Sequence, residues 1–202
     1  MEPIINRVAE SDIEVYNLEA LWDGREVEEF DLAPFLMEGL ILREAQFRDQ
    51  VKAHDWRQYA GRHVAVHCSA EAIVPTWAYM LVGTKLTGIA ASVAFGRRED
   101  LVRDHFVRAL EREDWERYRD GIVVVKGCGS RMVPVHAYVI ATQRLQEVAR
   151  KIMFGEPCSS VPLWRRPVEK AVPPDGKPAS KGVRPALPTP VRRVVGPSGD
   201  AD

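Results

Sequence analysis

Cysteine is scarce in this chain, and its scarcity excludes one class of fold. Three cysteines in 202 residues, Cys68, Cys128 and Cys158, are an odd number without a secretory leader, so we expect no disulfide framework. Long apolar runs are also missing, since no stretch approaches the ~20 residues that a membrane-spanning helix needs. The N-terminal residues lack the basic start and apolar block of a leader. These absences predict a cytoplasmic protein.

An excess of charge of one sign is missing as well, because the formal net charge is −1. This balance predicts neither nucleic acid nor a membrane as the main partner. It conceals a local asymmetry: residues 165–202 hold eight Lys/Arg, four Asp/Glu and eight prolines, with almost no periodic apolar residues. Such a segment cannot bury enough surface to offset its ordering entropy. We predict a single α/β domain over residues 1–164 and a disordered Pro-rich tail over residues 165–202.

Internal repetition is what the chain has in abundance. Residues 47–96 align with residues 106–155 without a gap, and 14 of the 50 positions are identical. The identical pairs include Asp55/Asp114, Trp56/Trp115, Tyr59/Tyr118, Val64/Val123, Val74/Val133, Pro75/Pro134, Tyr79/Tyr138 and Gly96/Gly155. A tandem duplication of this kind predicts two copies of one supersecondary unit in a common core. Positions that differ between the copies are then the ones expected to carry function.

The pattern in each repeat is typical of helix, strand, helix, strand. Apolar residues at three-to-four spacing predict the leading helix, at Leu42, Phe47 and Val51 in the first copy and at Leu101, Val102, Phe106 and Leu110 in the second. The Asp-Trp-x-x-Tyr segments predict a short capped turn after it. Valine-rich strands follow at 63–68 and 122–127, and second strands at 92–96 and 151–155. Val-Pro at 74–75 and 133–134 opens the helix between them, with proline in the first turn.

These elements predict an α/β fold with a mostly parallel sheet and helices on both faces. A strand, crossover helix and strand in one sheet are almost always parallel, so the repeats predict four parallel strands in a single sheet. Before them, IEVYNLEALW-DG-REVEEFDL reads as two strands around an Asp-Gly turn. We expect these to form a hairpin or to extend the edge of the sheet.

All three cysteines follow predicted strands, where the carboxyl edge of a parallel sheet binds ligands. Cys68 ends the strand HVAVHC, Cys128 follows IVVVKG, and Cys158 comes three residues after Gly155. A thiolate near a helix N-terminus is stabilised by unpaired N–H groups. The first hypothesis is therefore a metal or iron–sulfur site made by these cysteines with His67 or His136. Soft thiolate ligands favour zinc, iron or an iron–sulfur cluster.

Three alternatives remain open. The cysteines can be small buried residues in a metal-free interaction module, since free cysteine is often buried and inert. One cysteine can be a nucleophile with a histidine base, although His67 and Cys68 point to opposite faces of a continuing strand. Serines and N–H groups at Ser69, Ser130 and Ser159 can form an anion cradle. No nucleotide is expected, because GCGS at 127–130 lacks both the Walker lysine and GxGxxG.

The segments GLILREAQFR, AHDWRQYAGRHVAVHCSAEAIVPTWAYMLV, KGCGSRMVPVHAYV and IMFGEPCSSVPLW carry a resemblance to a known family. Together they resemble the bacterial domain-of-unknown-function family 2480, over about residues 1–166. The family has no assigned catalytic residues. The resemblance implies an association with iron–sulfur cluster assembly proteins, near whose genes such genes occur. It therefore favours the metal or cluster hypothesis, with the chain as an assembly accessory.

Overall fold

A computed structural model describes residues 13–127, 132–156 and 159–167 of the chain. Its strands are β1 (Ile13–Asn17), β2 (Val27–Asp31), β3 (His63–His67), β4 (Ser92–Phe95), β5 (Ile122–Lys126), β6 (Lys151–Glu156) and β7 (Ser159–Arg165). Its α-helices are α1 (Glu44–Ala53), α2 (Thr76–Leu86), α3 (Arg98–Glu111) and α4 (Val135–Val148). Within these ranges no helix is long and apolar enough to cross a bilayer. The predicted α/β class with mainly parallel strands is confirmed.

The strands form two sheets, which corrects the prediction of one sheet with four parallel strands. The first sheet has the order β2-β3-β4 and is parallel throughout. The second has the order β1-β5-β6-β7, in which only β7 is antiparallel. Each repeat therefore builds its own sheet. The periodicity of the chain reveals strands but does not encode which strands pair, so it could not separate the two sheets.

The two N-terminal strands are edge strands, and they do not pair with each other as a hairpin. Strand β1 lies beside β5 of the second repeat, while β2 lies beside β3 of the first. Their registers are equivalent, because Ile13 pairs with Ile122 and Val27 pairs with His63. The duplication thus extends to these strands: IEVYNL and VEEFDL are the first strands of the two units.

Buried side chains on the two faces of the first sheet pack against different helices. In the first sheet, Phe30, Val64 and Val66 pack with residues of α1 and α2 on one face. On the other face, Ala65 and Ala94 share a core with α3, α4 and residues of the second sheet such as Val123 and Val125. Small residues on this face of β3 and β4 leave room for α3. The first sheet therefore has helices on both faces, as predicted.

Helix α3 confirms the predicted apolar stripe, since Leu101, Val102, Phe106 and Leu110 are all buried. The Asp-Trp-x-x-Tyr segments form 3-10 turns at Trp56–Tyr59 and Trp115–Tyr118, as predicted. Only Asp55 caps its turn, accepting a hydrogen bond from the Arg57 N–H at 3.0 Å.

Two local predictions need correction. The prolines of both Val-Pro pairs lie immediately before α2 and α4 in extended backbone, not within the first turn. The apolar segment WAYMLVG predicts a deeply buried helix, but α2 is only partly buried, because Met80 is 66% exposed.

The C-terminal side of the fold extends beyond the predicted boundary at residue 164. Strand β7 pairs with β6 through Arg165, and the Arg166 N–H donates to the Arg150 carbonyl at 2.9 Å. The prediction of a disordered tail concerns residues that, from 168 onward, lie outside the described part of the chain.

Candidate functional site

Asp31, His67, Cys68 and Ser69 lie at the carboxyl ends of β2 and β3. Asp31, at the end of β2, pairs in register with His67. Its Oδ1 accepts the N–H groups of Ala33 and Ser69, each at 2.9 Å, and its Oδ2 accepts the Ser69 hydroxyl at 2.5 Å. Burial opposes the charge of Asp31, but the hydrogen bonds from Ser69 and Ala33 outweigh it and hold the pKa of this carboxyl below its ordinary value. An anion at Ser69 would have to displace this carboxylate, because both donors of Ser69 are already engaged.

His67 and Cys68 face opposite ways from adjacent positions. Residues of a strand alternate between faces, so His67 lies on the face of Ala65, toward α3. Cys68 is half-buried and packs with the α1 and α2 cluster on the other face, with its thiol directed at the Ala70 carbonyl at 3.7 Å. His67 is only 7% exposed. Its buried Nδ1 has no hydrogen-bond partner in the described part of the chain.

The other two cysteines follow strands of the second sheet and lie outside the described residues, as does Ser130. Strands β5 and β6, which precede Cys128 and Cys158, are neighbours in register. Lys126 Nζ lies 3.0 Å from the Glu156 carboxylate and joins the ends of these two strands. Of the remaining predicted residues, Ser159 is exposed at the start of β7, and His136 is exposed in the first turn of α4.

The expectation that the three cysteines follow strands of one sheet is therefore wrong. Cys68 follows β3 of the first sheet, whereas the chain enters Cys128 and Cys158 from β5 and β6 of the second. Over residues 13–127, 132–156 and 159–167 no group of three His, Cys, Asp or Glu side chains is placed to hold a metal ion. Cys128 and Cys158 lie outside these ranges.

A second polar site, which the sequence analysis did not predict, lies at the opposite ends of the strands in the first sheet. His63 begins β3 and is 3% exposed. Its Nε2 lies 2.9 Å from Asp23 Oδ1, and its Nδ1 lies 2.7 Å from Ser92 Oγ on the neighbouring strand. The rings of Trp22 and His105 pack against the imidazole, each with its centroid 5.1 Å away. Asp23, His63 and Ser92 thus form a continuous hydrogen-bonded chain.

Asp23, His63 and Ser92 line a cavity of about 440 Å³ between the first sheet and α3. Helix α3 contributes His105, Arg108 and Arg112 to the wall. His105 Nε2 donates to the Leu21 carbonyl at 2.8 Å. Arg108 Nη2 is buried and has no hydrogen-bond partner among the described residues. The cavity wall therefore combines a hydrogen-bonded serine and histidine with the side chains of two arginines.

Asp23 supplies the negative charge in the cavity wall, opposite in sign to Arg108 and Arg112. Burial opposes ionisation of Asp23, but hydrogen bonds from His63 and the Arg25 N–H outweigh it and hold the pKa of the Asp23 carboxyl below its ordinary value. Asp23 thus stays ionised as an acceptor for His63.

Comparison of the repeats is the sequence signal that points to this site. His63 and Ser92 occupy the positions of Ile122 and Lys151 in the second repeat. The registers are the same, with His63 paired to Ser92 and Ile122 paired to Lys151. Differences at equivalent positions of a duplicated fold mark residues that the fold itself does not require.

The fold and the sites define the class of protein. It is an α/β protein made of two repeats, each with a mainly parallel sheet, and polar clusters lie at both ends of the first sheet. The chain belongs to the DUF2480 family, described as a protein of unknown function, whose sequence model matches residues 2–166. No curated protein and no solved structure matches the chain. The family resemblance expected from the sequence is confirmed.

Proposed function

We propose that this protein binds zinc, iron or an iron–sulfur cluster with Cys128, Cys158 and His67 as ligands. The observation that carries the proposal is the buried, unpartnered Nδ1 of His67, on the face of the first sheet directed toward α3 and the second repeat. A buried ring nitrogen without a partner is costly unless something binds it. Neutral imidazole and thiolates are ligands that suit zinc and iron.

The adjacency of β5 and β6 supports a pair of cysteine ligands. Parallel neighbouring strands lie about 4.8 Å apart, so residues just beyond their ends start close together. The Lys126–Glu156 ion pair holds these ends. The Tyr138 hydroxyl donates to the carbonyl of Gly127, the residue before Cys128. Glu156 and Ser159 face each other across β6 and β7, and Cys158 lies between them in the sequence.

The meeting of α3 and α4 supports the approach of His67 to Cys128 and Cys158. Arg98 and Val102 in the first turns of α3 line a hollow of about 250 Å³ with Met132 and Pro134, which lead into α4. Helix α3 starts just after the carboxyl end of β4, and α4 follows the carboxyl end of β5. The carboxyl ends of the two sheets are therefore on the same side of this part of the fold. His136 is a fourth candidate ligand from the same region.

Cys68 is left out of this ligand set because it packs on the opposite face of β3. An iron–sulfur assembly protein as partner and a cytoplasmic location belong to the same proposal. Thiolate ligands need a reducing compartment, where they are not lost to disulfides. The chain would then act as an accessory that holds metal or cluster, without chemistry of its own at this site.

Metal content after anaerobic purification tests the proposal. The expected result is near-stoichiometric zinc or iron by elemental analysis, with charge-transfer absorption if a cluster is bound. Cys128→Ser, Cys158→Ser and His67→Gln should each lower the metal affinity by more than about tenfold, because the loss of an outer-shell partner alone costs about 10- to 100-fold. Cys68→Ser is the matched control for thiol loss, and His54→Gln is the control for histidine loss.

Folded protein that stays metal-free after reconstitution with Zn²⁺, and with Fe²⁺ and sulfide, would sink the proposal. So would equal metal loss in Cys68→Ser and Cys128→Ser, because that result would return Cys68 to the ligand set. Circular dichroism on every variant separates ligand loss from unfolding.

A metal-free interaction module is the second candidate, and one surface favours it. Ile73, Met80 and Phe95 are 95%, 66% and 71% exposed and line a shallow hollow of about 580 Å³ near the carboxyl end of β4. Clustered exposed apolar side chains are typical of protein interfaces. This candidate requires that Met80→Asp abolish capture of a partner protein while the metal content stays unchanged. Loss of metal in that variant would contradict it.

A further inference from the structure

We propose that the cavity between the first sheet and α3 is a hydrolytic site with Ser92 as nucleophile and His63 as general base, held in position by Asp23. The two hydrogen bonds that this role requires are both present, at 2.7 Å from His63 Nδ1 to Ser92 Oγ and 2.9 Å from His63 Nε2 to Asp23 Oδ1. A nucleophile bonded to a base, which is bonded to an orienting carboxylate, is the arrangement that activates a serine hydroxyl.

Hydrogen-bond chemistry sets the direction of proton transfer. An ionised carboxylate only accepts, so the ring nitrogen beside Asp23 carries the hydrogen. In a neutral imidazole Nδ1 is then an acceptor, and the Ser92 hydroxyl donates to it. The ring is reversed relative to triads in which Nε2 faces serine, but the roles follow from the partners of each nitrogen. Packing by Trp22 and His105 keeps the imidazole in this orientation.

A purely structural role does not account for the hydrogen-bonded pair His63 and Ser92. Cross-strand hydrogen bonds between polar residues do stabilise sheets. The second repeat, however, builds the same strand pair in the same register with Ile122 and Lys151. The fold therefore does not need a buried histidine here. The cavity also depends on α3 covering the first sheet, so it lies where the two repeats meet.

The arginines define the substrate class. Arg108 is part of the cavity wall, while its Nη2 atom is itself buried without a hydrogen-bond partner among the described residues. The positive charge of the Arg108 guanidinium beside the cavity favours the oxyanion that develops on an attacked carbonyl. Arg112, exposed at the rim, favours a negative charge elsewhere on the substrate. The cavity of about 440 Å³ fits a small molecule. The inferred substrate is a short-chain carboxylic ester that carries a carboxylate.

The reaction balances with water as the only co-reactant. Ser92 Oγ forms a bond to the ester carbonyl while its proton moves to His63 Nδ1. The bond from the carbonyl carbon to the alcohol oxygen breaks, and the proton on Nδ1 passes to the departing alcohol. Water then attacks the acyl–serine, gives a proton to Nδ1, and releases the carboxylic acid as Ser92 recovers its hydrogen from the imidazolium.

A fluorophosphonate probe tests the nucleophile in the full chain. The expected result is labelling near one per protein, mapped by mass spectrometry to Ser92 and absent in Ser92→Ala. Thr84→Ala, which removes an exposed hydroxyl from α2, should label like the wild type. His63→Gln should slow labelling by about 10²- to 10⁴-fold, the usual contribution of a general base. Absence of labelling in folded wild-type protein, or labelling that persists in Ser92→Ala, overturns the proposal.

Ester kinetics test the remaining roles. Mono-4-nitrophenyl succinate should be hydrolysed faster than 4-nitrophenyl acetate, and Arg112→Gln should remove that preference. Asp23→Asn should lower kcat and leave KM nearly unchanged, because Asp23 acts through His63 and does not touch the ester. Equal rates for the two esters would overturn the substrate class. An Asp23→Asn effect on KM alone would overturn the positioning role of Asp23.

Discussion

Gly61 and Asp120 occupy equivalent positions in the two repeats and adopt the same left-handed backbone conformation, with φ of 70° and 57°. The N–H of each donates at 2.9 Å to an equivalent carbonyl, that of Ile89 for Gly61 and that of Val148 for Asp120. This turn leads from the Asp-Trp-x-x-Tyr segment into the central strand of each sheet. The duplication is therefore preserved in backbone geometry even where the residue type has changed.

Gly61→Ala should destabilise the protein by about 1–2 kcal/mol, because a Cβ at this positive φ is strained. No atom lies within 4 Å of the Cβ position, so the effect is one of backbone conformation alone. Gly83→Ala is the matched control: Gly83 is in the middle of α2, with equally open space. That change should stabilise by about 0.5–1 kcal/mol. Urea denaturation measures both values, and equal effects of the same sign would contradict the argument.

Leu86 and Leu145 are equivalent residues of α2 and α4, and both are fully buried. Each change to alanine should lower the free energy of unfolding by about 2–5 kcal/mol, through lost apolar burial and the cavity that remains. Leu163→Ala, at a position that is 51% exposed, should cost under about 1 kcal/mol. Thermal and chemical denaturation measure these differences. A negligible cost at only one of the two buried leucines would mean that the repeats do not contribute equally to stability.

Tyr16 and Phe30 are equivalent residues of β1 and β2, and they differ by one hydroxyl. Tyr16 is 4% exposed, and its hydroxyl has no hydrogen-bond partner in the described ranges. Burial, more than the nearby Glu113 carboxylate, raises the pKa of this hydroxyl far above its ordinary value. Tyr16→Phe should therefore leave stability unchanged or raise it by up to about 1 kcal/mol.

The reciprocal change, Phe30→Tyr, should destabilise by about 1–3 kcal/mol, since it buries a hydroxyl among the aromatic rings around Phe30. Differential scanning calorimetry on both variants makes the comparison. A large loss in Tyr16→Phe would show that its hydroxyl is paired in solution.

Acid should weaken the fold partly through Asp23. Its pKa is held below the ordinary value, so between the two pKa values the unfolded chain binds more protons than the folded one. The stabilisation is fully present above the unfolded pKa of about 3.9 and is lost as the pH falls through the folded value. Urea midpoints measured from pH 7 downward should show Asp23→Asn losing less stability than the wild type below about pH 4. Parallel curves for the two proteins would exclude this contribution.

Local pattern was enough to find most elements. The stripe of Phe47 and Val51 predicted α1, and the alternation before Asp31 revealed a strand, because burial on one face follows helix or strand periodicity. Strand β7 was not predicted. Its residues are mostly exposed, and Pro162 obscures the pattern, so little burial is left to mark it.

The candidate sites were predictable only in part. His67 was recognised because it ends a strand, but its unpartnered Nδ1 depends on what α3 and the second repeat leave open. The Asp23–His63–Ser92 chain joins residues 40 and 29 positions apart. No local spacing encodes such contacts. Comparison of His63 with Ile122 was the one signal available.

By itself the sequence determined the duplication, the helices and central strands of each repeat, and membership of its family, because these depend on short-range burial patterns and residue identity. The tertiary structure decided that β1 joins the second repeat and β2 the first, that Cys68 lies in a different sheet from the strands leading to Cys128 and Cys158, and that a polar cavity lies where the repeats meet. Strand partners and cavities arise from packing between distant segments. Their free energies are set by surfaces that exist only once both sheets have formed around α3.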